Sequence, residues 1–193
     1  MRGGETAAQI GVGEFQFGSR ERATGCSVAS VRSQTPAAWQ DLELGAPQLA
    51  GLGKASLDAT RVAFLGTLRR DGSPRISPVE PYLVHGQLLI GAMAWSQKAA
   101  DLRRDPRYVL HSAVTGPDSG EGELKLYGPA AEAGQELSIA ADAWWSSSPD
   151  RAVVFALHID QAVYVSWDTG YGVMTVGRWS PQGGYHQNSR SYP

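Results

Sequence analysis

The stretch AFLGTLRRDGSPRISPVEPYLVHGQLLIGAM, residues 63–93, decides the fold. Arg61 to Leu68 is rich in strand-forming residues, and Arg70-Asp71-Gly72-Ser73 carries the Asp-Gly pair of a tight hairpin. Pro74, Pro78 and Pro81 then interrupt the next extended run, Pro74 to Val84. Proline has no N–H for a ladder, so this run is expected to be an edge or bulged strand whose backbone is left to meet something else. His85-Gly86 makes a second tight turn, and Gln87 to Met93 reads as a third strand. Three strands joined by tight turns form a meander, which is antiparallel by construction.

Downstream the period changes. Ser96 is a natural N-cap for a short helix, Gln97 to Arg104, and Asp105-Pro106 ends it. Ala99, Leu102 and the aliphatic part of Arg103 give that helix a narrow inward face. Arg103, Arg104 and Arg107 alternate with Asp101 and Asp105, the pattern of a solvated, self-compensated surface. Arg107 to Val114 and Gly122 to Ala133 read as strands, the second kinked at Gly128-Pro129, with a polar loop from Thr115 to Glu121 between them. Gln135 to Ser147 reads as a helix burying Leu137, Ile139, Ala140, Ala143 and Trp144. Arg151 to Ile159, Gln161 to Trp167 and Gly172 to Trp179 complete the strands. About seven short strands in meander order predict a mainly β protein, an antiparallel barrel with short helices at its ends; a sandwich is the competing arrangement.

Upstream, residues 1–36 are rich in Gly, Ser, Ala and Thr without a sustained period, and read as a disordered extension. Gly11-Val12-Gly13 lacks the third glycine and the strand–helix setting of a nucleotide loop. Thr35-Pro36 resembles a helix start, and residues 36–54 are expected to form one or two short helices over the barrel end, with Ser56 to Thr60 leading into the first strand. The domain is thus expected over residues 37–180, followed by a loose polar tail over 181–193.

The bulk numbers narrow the function. A formal net charge of −2 gives no basic footprint for nucleic acid or an anionic membrane. The single cysteine, Cys26, excludes an internal disulfide and any cysteine-based zinc site. No apolar run approaches the roughly 20 residues of a membrane span, and the N-terminus lacks signal-peptide order, so a cytoplasmic location is expected. His85, His111, His158 and His186 show no ligand spacing, so no metal site is expected. There is no Gly-x-Ser-x-Gly elbow.

What remains is an anion site. The passage Gly91-Ala92-Met93-Ala94-Trp95-Ser96-Gln97-Lys98 leads from a strand into a helix N-terminus, whose unpaired N–H groups attract anions. Lys98 in the first turn opposes the helix dipole, which a bound phosphate would explain. Its structural alternative is an exposed lysine that falls early in a helix. Arg75, Ser77 and Val79 alternate onto one face of the proline-interrupted strand, with Ile76 and Pro78 on the other. Guanidinium and hydroxyl suit phosphate and ribityl oxygens.

The run from Ala63 to Val114 resembles the flavin-binding split barrel of the pyridoxamine 5'-phosphate oxidase-like superfamily. The matching residues are Gly66-Thr67, Asp71-Gly72-Ser73-Pro74, Arg75-Ile76-Ser77-Pro78-Val79, Ser96-Gln97-Lys98 and Leu102-Arg103-Arg104-Asp105-Pro106. It is most similar to the actinobacterial flavin/deazaflavin oxidoreductase branch. The resemblance implies a split β-barrel homodimer with cofactor sites at the subunit interface. Arg75 and Ser77 would lie along the cofactor, Ser96 and Lys98 would hold its phosphate, and Gly91 to Trp95 would line the cleft. Arg178-Trp179 is similar to a C-terminal element near the second subunit's site. The implied cofactor is flavin mononucleotide (FMN), or the deazaflavin coenzyme F-420, and the implied activity is hydride transfer with a small molecule. The cofactor-binding residues expected are therefore Arg75, Ser77, Val79, Trp95, Ser96 and Lys98, with no side chain named as catalytic. Gly177 to Pro193 does not reproduce the C-terminal Arg/His constellation that binds the vitamin's phosphate, which favours a different substrate or no turnover. The alternative on the same fold is a non-enzymatic flavin- or haem-binding, storage or stress-related dimer, for which His85 or His111 would be the axial donor.

Overall fold

The computed structural model describes residues 36–114 and 122–191, and the loop and N-terminal readings outside these ranges lie beyond the described residues. Two antiparallel ladders close on each other. After helices α1 (Trp39–Gly45) and α2 (Pro47–Thr60) come β1 (Ala63–Leu68), β2 (Pro74–Val79), β3 (Pro81–Val84) and β4 (Gln87–Met93). Helix α3 (Gln97–Arg104) leads to β5 (Arg107–Ser112) and β6 (Glu123–Glu132). Helix α4 (Gln135–Ala140), 3₁₀ turns at Trp144–Ser147 and Pro149–Arg151, β7 (Ala152–Leu157), β8 (Gln161–Asp168), β9 (Val173–Ser180) and β10 (Gly184–Ser191) complete the chain.

Two interruptions make the barrel. The proline-rich run breaks at Glu80: β2 pairs with β1, and β3 pairs with β4. Strand β6 changes partner at Gly128-Pro129. Before the break it pairs with β8, and beyond it Ala130 to Glu132 pair with β7. The ring β1–β2/β3–β4–β7–β6–β5 then closes, since β5 pairs with both β6 and β1, and β8, β9 and β10 extend it from β6. The switch in β6 is clamped. The Tyr108 hydroxyl donates to the His158 carbonyl at 2.9 Å, and the His158 amide donates to the Pro129 carbonyl at 3.0 Å. A Cβ at residue 128 would collide with that His158 carbonyl, so glycine is required by close approach.

The core lies inside the ring. Leu65, Leu88, Ile90, Leu110, Leu126 and Phe155 point inward and are almost fully buried, and Trp39, Leu42 and Leu49 of α1 and α2 complete the same cluster. His85 and Gly86 both take positive φ, 47° and 72°, in the tight turn the sequence predicts.

Several expectations are corrected. The first helix begins at Trp39 rather than near Pro36, because Asp41 turns back to accept the Ala38 amide at 2.7 Å. The second proline of this region, Pro47, occupies the first turn of α2, which runs on through Thr60 instead of giving way to a strand lead. The Gln135–Ser147 helix stops at Ala140, beyond which Asp142 takes φ 45°, and it buries none of its own residues. Ile139 is 63% exposed; the buried tryptophan is Trp145, whose indole N–H donates to the Ser138 carbonyl. Among the described residues the strands number ten rather than about seven, and the expected loose tail from residue 181 contains β10, paired along its length with β9.

Candidate functional site

Strand β2 and helix α3 form one seam. Along β2 the inward side chains are Arg75, Ser77 and Val79, while Pro74, Ile76 and Pro78 are exposed, which is the alternation expected from the sequence. On α3, Lys98 and Asp101 lie one turn apart on one face. Each reaches across to β2. The Lys98 ammonium donates to the Pro78 carbonyl at 3.0 Å, and Arg75 Nε donates to Asp101 Oδ2 at 2.7 Å. The two cations named from the sequence therefore share one side of the molecule.

Their environments differ. Asp101 is 2% exposed and accepts from Thr67 Oγ1 at 3.1 Å and from Arg104 at 3.2 Å as well as from Arg75. Burial raises its pKa, but the hydrogen bonds from Arg75, Arg104 and Thr67 outweigh it and hold the carboxyl below the usual carboxylate value. Arg75 spends only its Nε on this carboxylate, and among the described residues both terminal guanidinium nitrogens make no hydrogen bond and could meet a ligand. Lys98 is half-buried and has a neutral carbonyl as its hydrogen-bond acceptor. Burial lowers its pKa from the ordinary lysine value, and the negative charge of Glu80 opposes this.

Ser96 caps α3, its Oγ accepting the Ala99 amide at 3.4 Å, so its O–H remains a donor. The amides of Gln97 and Lys98, in the first turn, have no intrahelical acceptor. The Ser77 hydroxyl makes no hydrogen bond among the described residues and faces the same side as Arg75. Two of the expected residues stand apart. The Val79 side chain is 4% exposed and belongs to the main core, whereas Trp95, between β4 and α3, is 81% exposed.

No protein-family model and no curated protein matches the sequence. Solved structures do. PhzG from Burkholderia lata 383, solved in complex with tetrahydrophenazine-1-carboxylic acid, superposes with a TM-score of 0.54 at 11% identity, over 72% of this chain and 88% of that one. The likeness is one of fold: a mainly β, antiparallel split barrel with few short helices. A haem-binding protein from Mycobacterium smegmatis is also similar, with a TM-score of 0.49 at 21% identity over 72% of this chain; the match spans 57% of that protein's length. A protein related to general stress protein 26, of the pyridoxinephosphate oxidase family, from Clostridium acetobutylicum matches with a TM-score of 0.47 at 12% identity, over 72% of this chain and 90% of that one.

Within the split barrel the donor set at the seam fits a phosphate: an ammonium without a carboxylate hydrogen-bonded to it, a guanidinium with two free nitrogens, a hydroxyl and first-turn amides. It offers little to an iron. His111 Nδ1 lies 2.7 Å from the Ser112 carbonyl and its Nε2 lies 3.1 Å from Glu123, so both ring nitrogens are engaged. His85 is exposed in the turn between β3 and β4.

The residues that sequence reasoning missed are Asp101 and Thr67. Asp101 read as part of an alternating surface charge pattern, yet it is buried beside Ala99 and Leu102, whereas Arg103, expected to lie inward, is exposed. The available signal was helical spacing: Asp101 follows Lys98 by three residues and directly precedes Leu102, on the side that faces the sheet. Thr67 is buried opposite Arg75 in the β1–β2 ladder. No helix among the described residues is long and apolar enough to cross a membrane.

Proposed function

We propose that this chain is a cytoplasmic, homodimeric oxidoreductase that binds FMN, or the deazaflavin coenzyme F-420, along the β2–α3 seam, and that it is related to the actinobacterial flavin/deazaflavin oxidoreductases. The observation that carries this reading is Lys98: a half-buried ammonium at a helix N-terminus whose one hydrogen bond among the described residues is to a backbone carbonyl, beside an arginine whose two terminal nitrogens make none among those residues. Glu80 acts on this ammonium only through its field, and a phosphate would accept its hydrogen bonds directly.

In this reading Lys98, the Ser96 hydroxyl and the first-turn amides of α3 hold the phosphate. The terminal nitrogens of Arg75 and the hydroxyl of Ser77 face the chain linking phosphate to ring. Val79 forms the apolar floor beneath, and Trp95 shields the cleft from the β4–α3 connection. The bound ring supplies hydride transfer, so the protein's task is to orient it, exclude water and admit a small-molecule substrate. Arg75 is itself held by the buried Asp101, which makes Asp101 a positioning residue.

The dimer is supported by the outer face of the barrel. Ile76, Gly66, Val109 and Tyr127 lie in one cross-strand row, with Phe64 and Pro78 paired beside them. Ile76 is 74% exposed and Phe64 42%. Such a contiguous apolar strip on a sheet face marks an association surface.

The test is a visible absorption spectrum of the purified protein, alone and after addition of FMN, coenzyme F-420 or haem, followed by titration of the same cofactors into Lys98→Ala. The expected result is saturable binding of FMN or F-420 that Lys98→Ala weakens at least tenfold. Unchanged affinity in the variant, or no binding of either cofactor, overturns the reading.

A further inference from the structure

A hollow of about 500 Å³ lies between the C-terminal end of α2 and the β2–β3 junction. Its volume falls within the usual range of small-molecule sites. Leu57, Pro81 and Leu83 supply its apolar lining, and Arg61 and Glu80 supply opposite charges. Although both line this hollow, they do not form an ion pair, and the Arg61 side chain has no hydrogen-bonded acceptor among the described residues. By contrast, the other pair at the rim, Lys54 and Asp58, is already joined. Glu80 uses one carboxylate oxygen, Oε2, to accept the Tyr82 hydroxyl at 3.1 Å, and its other oxygen accepts no hydrogen bond among the described residues.

The backbone at Arg61 sharpens the point. It caps α2 with φ 56° and ψ 8°, the left-handed conformation that helix ends normally give to glycine. An arginine there takes a backbone conformation that side chains rarely adopt, and it lines the hollow. A separated cation and anion over an apolar floor match a ligand that carries the same three features.

We propose that this hollow binds a small amphipathic zwitterion, its anionic group on Arg61, its ammonium on Glu80 and its apolar body against Leu57, Pro81 and Leu83. Arg61 and the apolar floor lie outside the β2–α3 seam, whereas the charge of Glu80 also acts on Lys98, so loss of L-phenylalanine binding in Arg61→Gly with FMN or F-420 affinity unchanged separates the two readings.

Calorimetric titration of the full chain with L-phenylalanine, 3-phenylpropanoate and phenethylamine tests it. L-Phenylalanine should bind saturably and at least tenfold more tightly than either singly charged analogue. Arg61→Gly removes the guanidinium at a backbone position that suits glycine, so it should melt no lower than the parent chain. It should weaken L-phenylalanine at least tenfold while leaving phenethylamine unchanged. Glu80→Gln should weaken L-phenylalanine and phenethylamine but not 3-phenylpropanoate. No saturable heat with L-phenylalanine, or equal affinity in the parent and both variants, overturns the proposal.

Discussion

Arg75 of β2 and Asp101 of α3 are joined at 2.7 Å through the guanidinium Nε, with the carboxylate almost wholly out of solvent. A buried carboxylate held by three donor side chains is costly to disturb, because its replacement by an amide leaves the Arg75 and Arg104 guanidiniums without their anionic partner and turns one oxygen acceptor into a donor. Asp101→Asn is therefore expected to destabilise the fold by on the order of 2 kcal/mol in denaturant titration, both arginines being partly solvated. A change below ~0.5 kcal/mol would mean that the network holds nothing in place.

The same carboxylate predicts a pH effect. Its folded pKa is lowered, so it binds protons less readily in the fold than in the unfolded chain, where the carboxyl titrates near about 3.9. Its stabilisation is complete above that value and is lost as the pH falls through the folded pKa. The parent chain should lose stability on acidification below about pH 4 with a component that is missing in Asp101→Asn. Parallel stability–pH curves for the two proteins would contradict this.

Ser96 provides a smaller, separable test. Its Oγ caps the Ala99 amide at 3.4 Å, a long hydrogen bond. Ser96→Ala should cost about 0.5–1 kcal/mol of stability, toward the low end for N-caps. In the proposed site the same hydroxyl also donates to the phosphate, so the variant should weaken FMN or F-420 binding by more than its loss of stability accounts for. Lost stability with unchanged cofactor affinity would leave Ser96 a cap and nothing more.

How much of this was legible follows from what each residue does locally. The alternation of Arg75, Ser77 and Val79, the cap at Ser96 and the kink at Gly128-Pro129 are written in short-range chemistry: period two, a hydroxyl before a helix, and a proline that cannot donate. The prolines of the Pro74–Val84 run suggest a single edge or bulged strand, whereas the structure divides the run at Glu80 into β2 and β3 with different partners. The position of Asp101 was not legible, because its charge matched its neighbours' pattern and only tertiary contact with β2 explains its burial. Strand β10 was hidden for the opposite reason. Every residue from Gly184 to Ser191 is exposed, so no apolar alternation marks it, and only pairing with β9 makes it a strand. The helix after Gln135 misled because its apolar residues suggested a buried face, while the buried anchor is Trp145 beyond the helix end.

Gly128 tests the partner switch that closes the barrel. A Cβ there meets the His158 backbone carbonyl, the acceptor for Tyr108, and backbone cannot swing aside as a side chain can. Gly128→Ala should destabilise by roughly 2 kcal/mol or more, the cost of overpacking against a fixed wall. Gly51→Ala, where a Cβ meets nothing in a helix interior, should be neutral or stabilising. Equal effects at the two glycines, measured by thermal unfolding, would show that the switch tolerates displacement.

The outer apolar strip gives the last prediction. Ile76 sits at the end of the row that runs through Gly66 and Val109 to Tyr127, and its side chain is 74% exposed in the single chain. Gly66 keeps the middle of that row low, since a Cβ there would press on Val109. A low, apolar strip of this kind can meet its own copy across a twofold axis, each Ile76 crossing toward the partner's strip. Ile76→Glu would bury a carboxylate in that contact without touching the core of either subunit. The expected cost is roughly 2 kcal/mol or more of association free energy, about thirtyfold in the dimer dissociation constant, with the monomer's melting temperature unchanged. Sedimentation across a concentration series reads the outcome: the parent chain should sediment as a dimer and Ile76→Glu should shift toward monomer. A parent chain that is monomeric throughout, or a variant that remains equally dimeric, would place the subunit contact elsewhere or remove it.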